Sequence, residues 1–201
     1  MQRSDLVRDS DGWKTVGSET HFQSPHLTVV SDEVVTPTHQ KPRKWLVAQR
    51  KPAVVIAPIT AEGRFVLIRE ERIPIRAAIW CLPAGQVDHE SLEPDEEMVR
   101  KVALRELREE TGYELAAAGE LISLGHFFSS PGFTDEHCYF FLARPVEKHA
   151  QGPAHDGAET IVDCREVSPD LLRQMIAEGE IRDSNTLSIW ARLVARGEIF
   201  P

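Results

Sequence analysis

The sequence predicts a mixed α/β fold in which strands surround one long helix and two shorter helices follow. Two apolar runs, residues 53–59 and 65–69, flank a turn at Glu62-Gly63 and predict a hairpin of a buried sheet. An amphipathic helical pattern then begins near Pro94. Short apolar segments predict three further strands, at 121–127, 137–143 and 160–167. This order of strands and helices is typical of the mixed α/β class.

The N-terminal part differs from the rest and predicts a small β element. Apolar alternation marks strands at 26–35 and 45–49, separated by a loop with Pro37 and Pro42. At 201 residues, the chain is long enough for one main domain and an accessory element. We therefore expect a β element at 1–50 and the main domain at 51–201. The net charge of −9 argues against a nucleic-acid partner.

Composition also predicts a cytoplasmic protein without a membrane partner. Residues 1–14 are polar and lack the apolar run of a secretory signal, and the longest apolar run, 53–59, is too short to span a bilayer. The cysteines Cys81, Cys138 and Cys164 are widely spaced and include no Cys-x-x-Cys pair. This spacing suits a reducing compartment better than a disulfide framework or a zinc site.

The central helix carries an apolar stripe and a cluster of carboxylates. Pro94 suits the first helical position, and Gly112 is placed to end the helix. The stripe consists of Val99, Val102, Ala103 and Leu107. Glu106, Glu109 and Glu110 repel one another by a few tenths of a kcal/mol per pair, so we expect a divalent cation, Mg²⁺ above all, to bind there. The alternative is a surface helix with exposed i,i+4 ion pairs.

Two helices are predicted near the C-terminus. Ser168-Pro169-Asp170 opens the first, which runs to Gly179, and Asp183-Ser184 opens the second, which runs to Gly197. The Gly- and His-containing segment 147–158 predicts a mobile loop before them.

The carboxylate cluster belongs to a longer pattern that resembles the Nudix box, Gly-x5-Glu-x7-Arg-Glu-U-x-Glu-Glu-x-Gly-U, where U is apolar or aromatic. Glu97, seven residues and Arg105-Glu-Leu-x-Glu-Glu-x-Gly-Tyr113 match its C-terminal two-thirds. The first third departs, because eleven residues instead of five separate Gly85 from Glu97 and Ser91 stands at the strict glycine position. We take Gly85 as the equivalent, in an enlarged loop. The first box glutamate stays open among Glu90, Glu93 and Glu97.

Three other segments resemble one group of this superfamily, the ADP-ribose pyrophosphatases and related nucleoside diphosphate sugar hydrolases. Ile68–Pro74 is similar to the group's Val-Arg-Gln-Tyr-Arg-Tyr-Pro. Trp80–Gly85 is similar to Trp-Glu-Leu-Pro-Ala-Gly, and Ser130–Glu136 to Ser-Pro-Gly-Phe-Ser-Asp-Glu. The resemblance implies the Nudix fold, an α/β/α sandwich with a mixed β-sheet.

The resemblance also implies roles for individual residues. Metal ligands would be Glu106, Glu109, Glu110 and the backbone carbonyl of Ala84, and catalytic residues would be Glu110, Glu109, Arg105 and Glu159. Substrate would contact Arg72, Arg69, Gly85, Pro131, Gly132 and Phe133. Alternatives stay open for Arg72 as a surface ion pair, for Pro131-Gly132 as a plain turn and for Glu159 as a solvated glutamate.

Two departures from the group concern the site. Cys81 stands where the group has a glutamate, which removes a charge that helps to order substrate or metal. The late-loop glutamate that serves the group as general base is matched only by Glu159, one position out of register. Sugar selectivity and the identity of the base are therefore open.

The implied reaction is Mg²⁺-dependent hydrolysis of the diphosphate bond of ADP-ribose or a related ADP-sugar, giving AMP and a sugar phosphate, with Mn²⁺ as a substitute metal. The alternatives are a pyrophosphatase for GDP-mannose or another nucleoside diphosphate sugar, a non-catalytic nucleotide sensor and a nucleoside triphosphatase of the MutT type. The resemblance also implies a homodimer formed through the N-terminal element.

Overall fold

The computed structural model describes residues 9, 12–87, 95–154 and 160–199. They form two compact units. The first consists of the chain up to Ala53 with Gln86–Asp95 and Phe128–His137, and the second of Val54–Gly85, Glu96–Phe127 and the chain from Cys138 onward. Within the described residues, no helix is both long and apolar enough to cross a membrane. The predicted division of the chain after residue 50 stays a prediction.

The strands are β1 (Lys14–Gln23), β2 (Thr28–Thr36), β3 (His39–Gln49), β4 (Ala53–Thr60), β5 (Phe65–Arg72), β6 (Ala77–Cys81), β7 (Ala84–Gln86), β8 (Tyr113–Phe128), β9 (His137–Lys148) and β10 (Ile161–Val167). The α-helices are α1 (Glu96–Thr111), α2 (Pro169–Ala177) and α3 (Ser184–Ala195). A short 3-10 helix, Ile73–Ile75, follows β5.

The first unit is built on a three-stranded antiparallel sheet with the order β1-β2-β3. β1 is absent from the sequence prediction because nearly all of its side chains are exposed, so no apolar alternation marks it. The segment 128–137 is attached to β3: the Ala48 amide donates to the Phe133 carbonyl at 2.8 Å, and Trp45 Nε1 donates to the Gly132 carbonyl at 3.0 Å. Exposed aromatic side chains remain at Trp13, Phe22 and Trp45, and the predicted homodimer stays a prediction.

The second unit contains a seven-stranded mixed sheet whose main order is β10-β5-β4-β9-β8, with β6 paired to β5 and β7 paired to β4. Its centre is the hairpin predicted from residues 53–59 and 65–69, in which β4 and the first half of β5 are almost completely buried. With the three α-helices of the described residues, this sheet gives the predicted mixed α/β architecture.

The helix boundaries follow the capping residues in the sequence. Gly112 ends α1 with a φ of 72°, and its amide donates to the Arg108 carbonyl. The hydroxyl of Ser168 accepts from the Leu171 amide at the start of α2, and Asp183 accepts from the Thr186 amide at the start of α3. The predicted start of the central helix at Pro94 lies outside the described residues.

Three predicted boundaries were wrong. β3 begins at His39 instead of Trp45, so Pro42 lies within the strand and not in a loop. β8 begins at Tyr113 instead of Leu121, because Leu115-Ala-Ala-Ala118 lacks the β-branched residues that mark a strand. The predicted loop at 147–158 begins later, since Glu147 and Lys148 still belong to β9, and residues 155–158 lie outside the described part of the chain.

Candidate active site

Two glutamates of α1 are buried inside the second unit, to which this helix belongs. The side chains of Glu106 and Glu110 lie one helical turn apart, and the two residues are only 7% and 3% exposed. The helix buries them together with Val102 and Leu107 of its apolar stripe. Buried carboxylates require hydrogen bonds, ion pairs or a metal, so this burial by itself indicates a site.

The turn that leads into β7, together with the first two residues of that strand, covers these two carboxylates; residues 82–85 are called the 82–85 turn below. The Ala84 amide donates to Glu110 Oε2 at 2.9 Å. At Gly85, a Cβ atom would lie 2.0 Å from Glu106 Cδ and 2.3 Å from Glu106 Oε1. Only glycine therefore lets the turn approach Glu106 this closely, which gives Gly85 a steric reason for its place in the pattern.

This turn is anchored from both sides by hydrogen bonds to distant segments. The Ile56 amide of β4 donates to the Pro83 carbonyl at 3.0 Å. On the other side, the Leu82 amide donates to Thr186 Oγ1 at 2.9 Å, and that hydroxyl donates to Asp183 Oδ2 at 2.7 Å. Thr186 is completely buried. Sequence reasoning missed it, because Leu82 is 104 positions away along the chain.

We expect Thr186→Val to lower the free energy of unfolding by about 2 kcal/mol, because the Leu82 amide loses its acceptor where water does not reach. Urea denaturation would measure the change. Thr20→Val makes the same chemical change at an exposed position of β1 and should leave stability unchanged. Equal stability of the two variants would show that the Thr186 hydroxyl does not anchor the turn.

Arg105 bridges two glutamates of the cluster. Its Nη2 atom lies 2.5 Å from Glu106 Oε1, and its Nη1 atom lies 2.6 Å from Glu109 Oε2. One guanidinium thus orients a buried and a half-buried carboxylate, a fork geometry that lysine cannot reproduce. These two contacts are the physical basis for the catalytic role that the resemblance implies for Arg105.

A divalent cation fits the chemistry of this site. Glu106 and Glu110 supply hard oxygen donors, and Mg²⁺ typically takes one or two carboxylates, leaving its remaining positions to water and phosphate oxygens. In the described parts of the chain, no group of three or more His, Cys, Asp or Glu side chains is placed to hold a metal ion. Arg105 occupies one oxygen of Glu109. A direct role of Glu109 in metal binding therefore stays a prediction, as does that of the Ala84 carbonyl.

Arg72 lies at the end of β5 and pairs with a neighbouring carboxylate, as the surface ion-pair alternative required. Its Nη2 atom lies 2.6 Å from Glu70 Oε2. The arginine side chain is 36% exposed whereas that of Glu70 is 4% exposed, so the pair is buried at one end and open at the other. The remaining guanidinium donors of Arg72 can face a ligand.

Cys81 lies among the charged groups of this region. Burial raises the pKa of its thiol; Arg72 lowers that pKa, while Asp183, Glu70 and Glu110 raise it further. The thiol is therefore protonated at neutral pH. Cys81 thus interacts electrostatically with both Arg72 of β5 and Glu110 of α1.

The remaining predicted substrate residues are Arg69 and the segment 131–133. Arg69 is exposed on β5 three positions before Arg72, which puts it on the opposite face of the strand, and it pairs in register with Trp80 and Asp163. Pro131, Gly132 and Phe133 belong to the first unit. There the Phe133 amide closes a turn onto the Ser130 carbonyl at 3.2 Å. Their predicted contacts with substrate stay predictions.

Several predicted positions lie outside the described residues. Glu159, the candidate general base, is one of them, and so are Glu90 and Glu93 in the enlarged loop. Glu97 is described, and it forms an exposed ion pair with Lys101 at 2.6 Å.

A family model described as NUDIX domain matches residues 49–187. The Methanol dehydrogenase activator of Bacillus methanolicus is 36% identical to this chain over 87% of the chain and 88% of its own length. ADP-ribose pyrophosphatase of Bacillus subtilis (strain 168) is 29% identical over 86% of this chain and 88% of its own length. GDP-mannose pyrophosphatase of Escherichia coli (strain K12) is 33% identical over 92% of each chain.

A solved structure described as ADP compounds hydrolase has the same fold. It superimposes with a TM-score of 0.72 at 18% identity, and the alignment covers 96% of this chain and all of that one.

Proposed function

This chain belongs to the NUDIX domain family and is a hydrolase, and we propose that it cleaves the diphosphate bond of ADP-ribose or a related ADP-sugar, giving AMP and a sugar phosphate. The observation that carries the proposal is the burial of Glu106 and Glu110 beneath the 82–85 turn. Cys81, which precedes this turn, interacts electrostatically with both Glu110 and Arg72. This arrangement offers carboxylates for a cation beside an arginine for phosphate.

Each residue of the site has a separate task in this reaction. Arg72 binds the diphosphate through its open guanidinium donors, which match phosphate oxygens in geometry. Arg105 orients Glu106 and Glu109. When bound, divalent metal ions neutralise charge on the phosphate oxygens and lower the pKa of water. Glu159 or one of the helix glutamates accepts the proton of the attacking water.

The substrate class is supported by two relatives with different printed activities. ADP-ribose pyrophosphatase favours an adenine nucleotide, and it agrees with the resemblance of the segments around Arg72, Gly85 and Phe133. GDP-mannose pyrophosphatase matches a larger share of the chain, and this makes GDP-mannose the second candidate. Cys81, which removes the group's glutamate beside the turn, is the specific residue that favours an altered sugar preference.

We expect ADP-ribose to be the best substrate in a panel that also contains ADP-glucose, GDP-mannose, NADH, diadenosine polyphosphates and 8-oxo-dGTP. With Mg²⁺, the products would be AMP and ribose 5-phosphate. Excess EDTA should reduce the rate to background, because the carboxylates of the site act through a divalent metal ion. Chromatography would identify the products and measure the rate of their formation. Faster hydrolysis of GDP-mannose would establish the second candidate, and failure on every diphosphate would refute the proposed activity.

A further inference from the structure

Glu70 is a charged residue in an almost completely buried position. It lies in the charged second half of β5, the residue is 3% exposed, and its Oε2 atom lies 2.6 Å from Arg72 Nη2. Burial of an ionised carboxylate is costly unless it is paired and hydrogen-bonded. Glu70 is buried while Arg69 and Glu71 beside it are exposed, which indicates a role beyond packing.

The pairing of β5 with β6 puts this carboxylate beside Cys81. Residues 68, 70 and 72 share one face of β5, and the register places Cys81 opposite Ile68 and Ile79 opposite Glu70. Glu70 and Cys81 are therefore diagonal neighbours on the face that also carries Arg72. Electrostatic interactions join Cys81 to both of these charged residues.

Two departures from the resembled motifs fall on these two diagonal positions. The group has glutamine where this chain has Glu70, and glutamate where this chain has Cys81. The face thus keeps one carboxylate beside Arg72, but the carboxylate has moved from β6 to β5. The two changes compensate each other in charge, although neither restores the other's side-chain position.

We propose that Glu70 is a positioning residue for Arg72, and that it supplies a carboxylate on the face of the sheet where Cys81 supplies none. By holding one side of the guanidinium, Glu70 fixes the arginine before substrate binds and leaves the other donors to the diphosphate. The inference rests on the proposed function, because it assigns Arg72 to the diphosphate of the substrate.

Neighbouring groups, and not burial, stabilise the charged form of Arg72. Burial lowers the pKa of Arg72, but Glu70, Cys81 and Asp183 raise it more, so the net shift is upward and the guanidinium is kept charged. Asp183 already accepts two hydrogen bonds from Thr186, through the amide and the hydroxyl. Glu70, in contrast, contacts Arg72 directly, at 2.6 Å. A side chain held in its bound geometry loses less conformational entropy on binding.

We expect Glu70→Gln to weaken ADP-ribose binding about tenfold, measured by isothermal titration calorimetry in EDTA so that no turnover occurs. KM should rise by a similar factor with little change in kcat, because the arginine contacts bound substrate as well as the transition state. Glutamine has nearly the same shape and stands at this position in the resembled group. Glu71→Gln, on the exposed opposite face of β5, is the matched control and should bind as the wild type does.

A second substitution separates positioning from a purely structural ion pair. Cys81→Glu should weaken binding in the wild-type background, because it adds a buried carboxylate beside Glu70 and Glu110. In the Glu70→Gln background it should instead restore affinity to within about threefold of the wild type, since Arg72 regains one neighbouring carboxylate. A structural role alone predicts no such reversal of sign.

The outcomes distinguish the inference from the function on which it rests. If the wild type hydrolyses ADP-ribose but Glu70→Gln binds it with unchanged affinity and KM, the inference is wrong and the proposed function stands. The inference is also wrong if Cys81→Glu weakens binding equally in both backgrounds. A wild type that neither binds nor hydrolyses any diphosphate sugar would overturn both.

Discussion

Glu110→Gln is expected to lower kcat about 10³-fold, equivalent to about 4 kcal/mol of transition-state stabilisation, while the protein stays folded. The substituted amide oxygen can still accept the hydrogen bond from the Ala84 amide, so the turn keeps its place over α1. The negative charge that would hold a divalent cation is lost, however. Steady-state kinetics with ADP-ribose and Mg²⁺ would measure the effect, and circular dichroism melting would report on the fold.

Glu96→Gln is the matched control for this prediction. It makes the same change in the exposed first turn of α1, and it should leave kcat within about twofold of the wild type. Glu110 has no catalytic role if both variants turn over substrate at the wild-type rate. Excess Mg²⁺ that restores much of the activity of Glu110→Gln would indicate weakened metal binding instead of lost chemistry.

The sequence predicted best those elements whose signals are local. The central helix, its apolar stripe and its end at Gly112 all follow from residues within about four positions of each other, and the structure confirms them. The buried hairpin is predicted equally well because residues 53–59 of β4 and 65–68 of β5 are apolar. In contrast, β1 is held by pairing with β2 while exposing most of its side chains, so its own residues carry little signal.

The site shows the same limit at the level of single residues. Its glutamates, Arg105 and Gly85 could be predicted because they form a spaced pattern along the chain. Glu70 and Thr186 were missed as parts of the site, because their partners depend on β-sheet register and on a contact between distant segments. A glutamate in a strand and a threonine in a helix look like surface residues until tertiary structure buries them.

Gly85 offers the sharpest test of how the turn and the helix fit together. A Cβ atom at this position would lie within 2.5 Å of three Glu106 side-chain atoms. All three belong to the outer part of a flexible side chain, so rotation of Glu106 can relieve the overlap without moving the backbone. We therefore expect Gly85→Ala to disturb the site more than the fold.

Specifically, Gly85→Ala should lower kcat/KM about 10²-fold, or about 3 kcal/mol, because the displaced Glu106 carboxylate can no longer meet a cation beside Glu110. The free energy of unfolding should fall by only about 1 kcal/mol.

Gly119→Ala is the control with the opposite expected pattern, a loss of stability without a loss of activity. Its Cβ atom would lie 2.6 Å from the Pro145 carbonyl oxygen, which is backbone and cannot rotate away, so we expect about 2–3 kcal/mol of destabilisation with nearly normal kcat/KM per folded molecule. Steady-state kinetics would measure kcat/KM of both variants, and urea denaturation would measure their free energies of unfolding. A Gly85→Ala enzyme with wild-type kcat/KM would mean that Glu106 does not need its present position for catalysis.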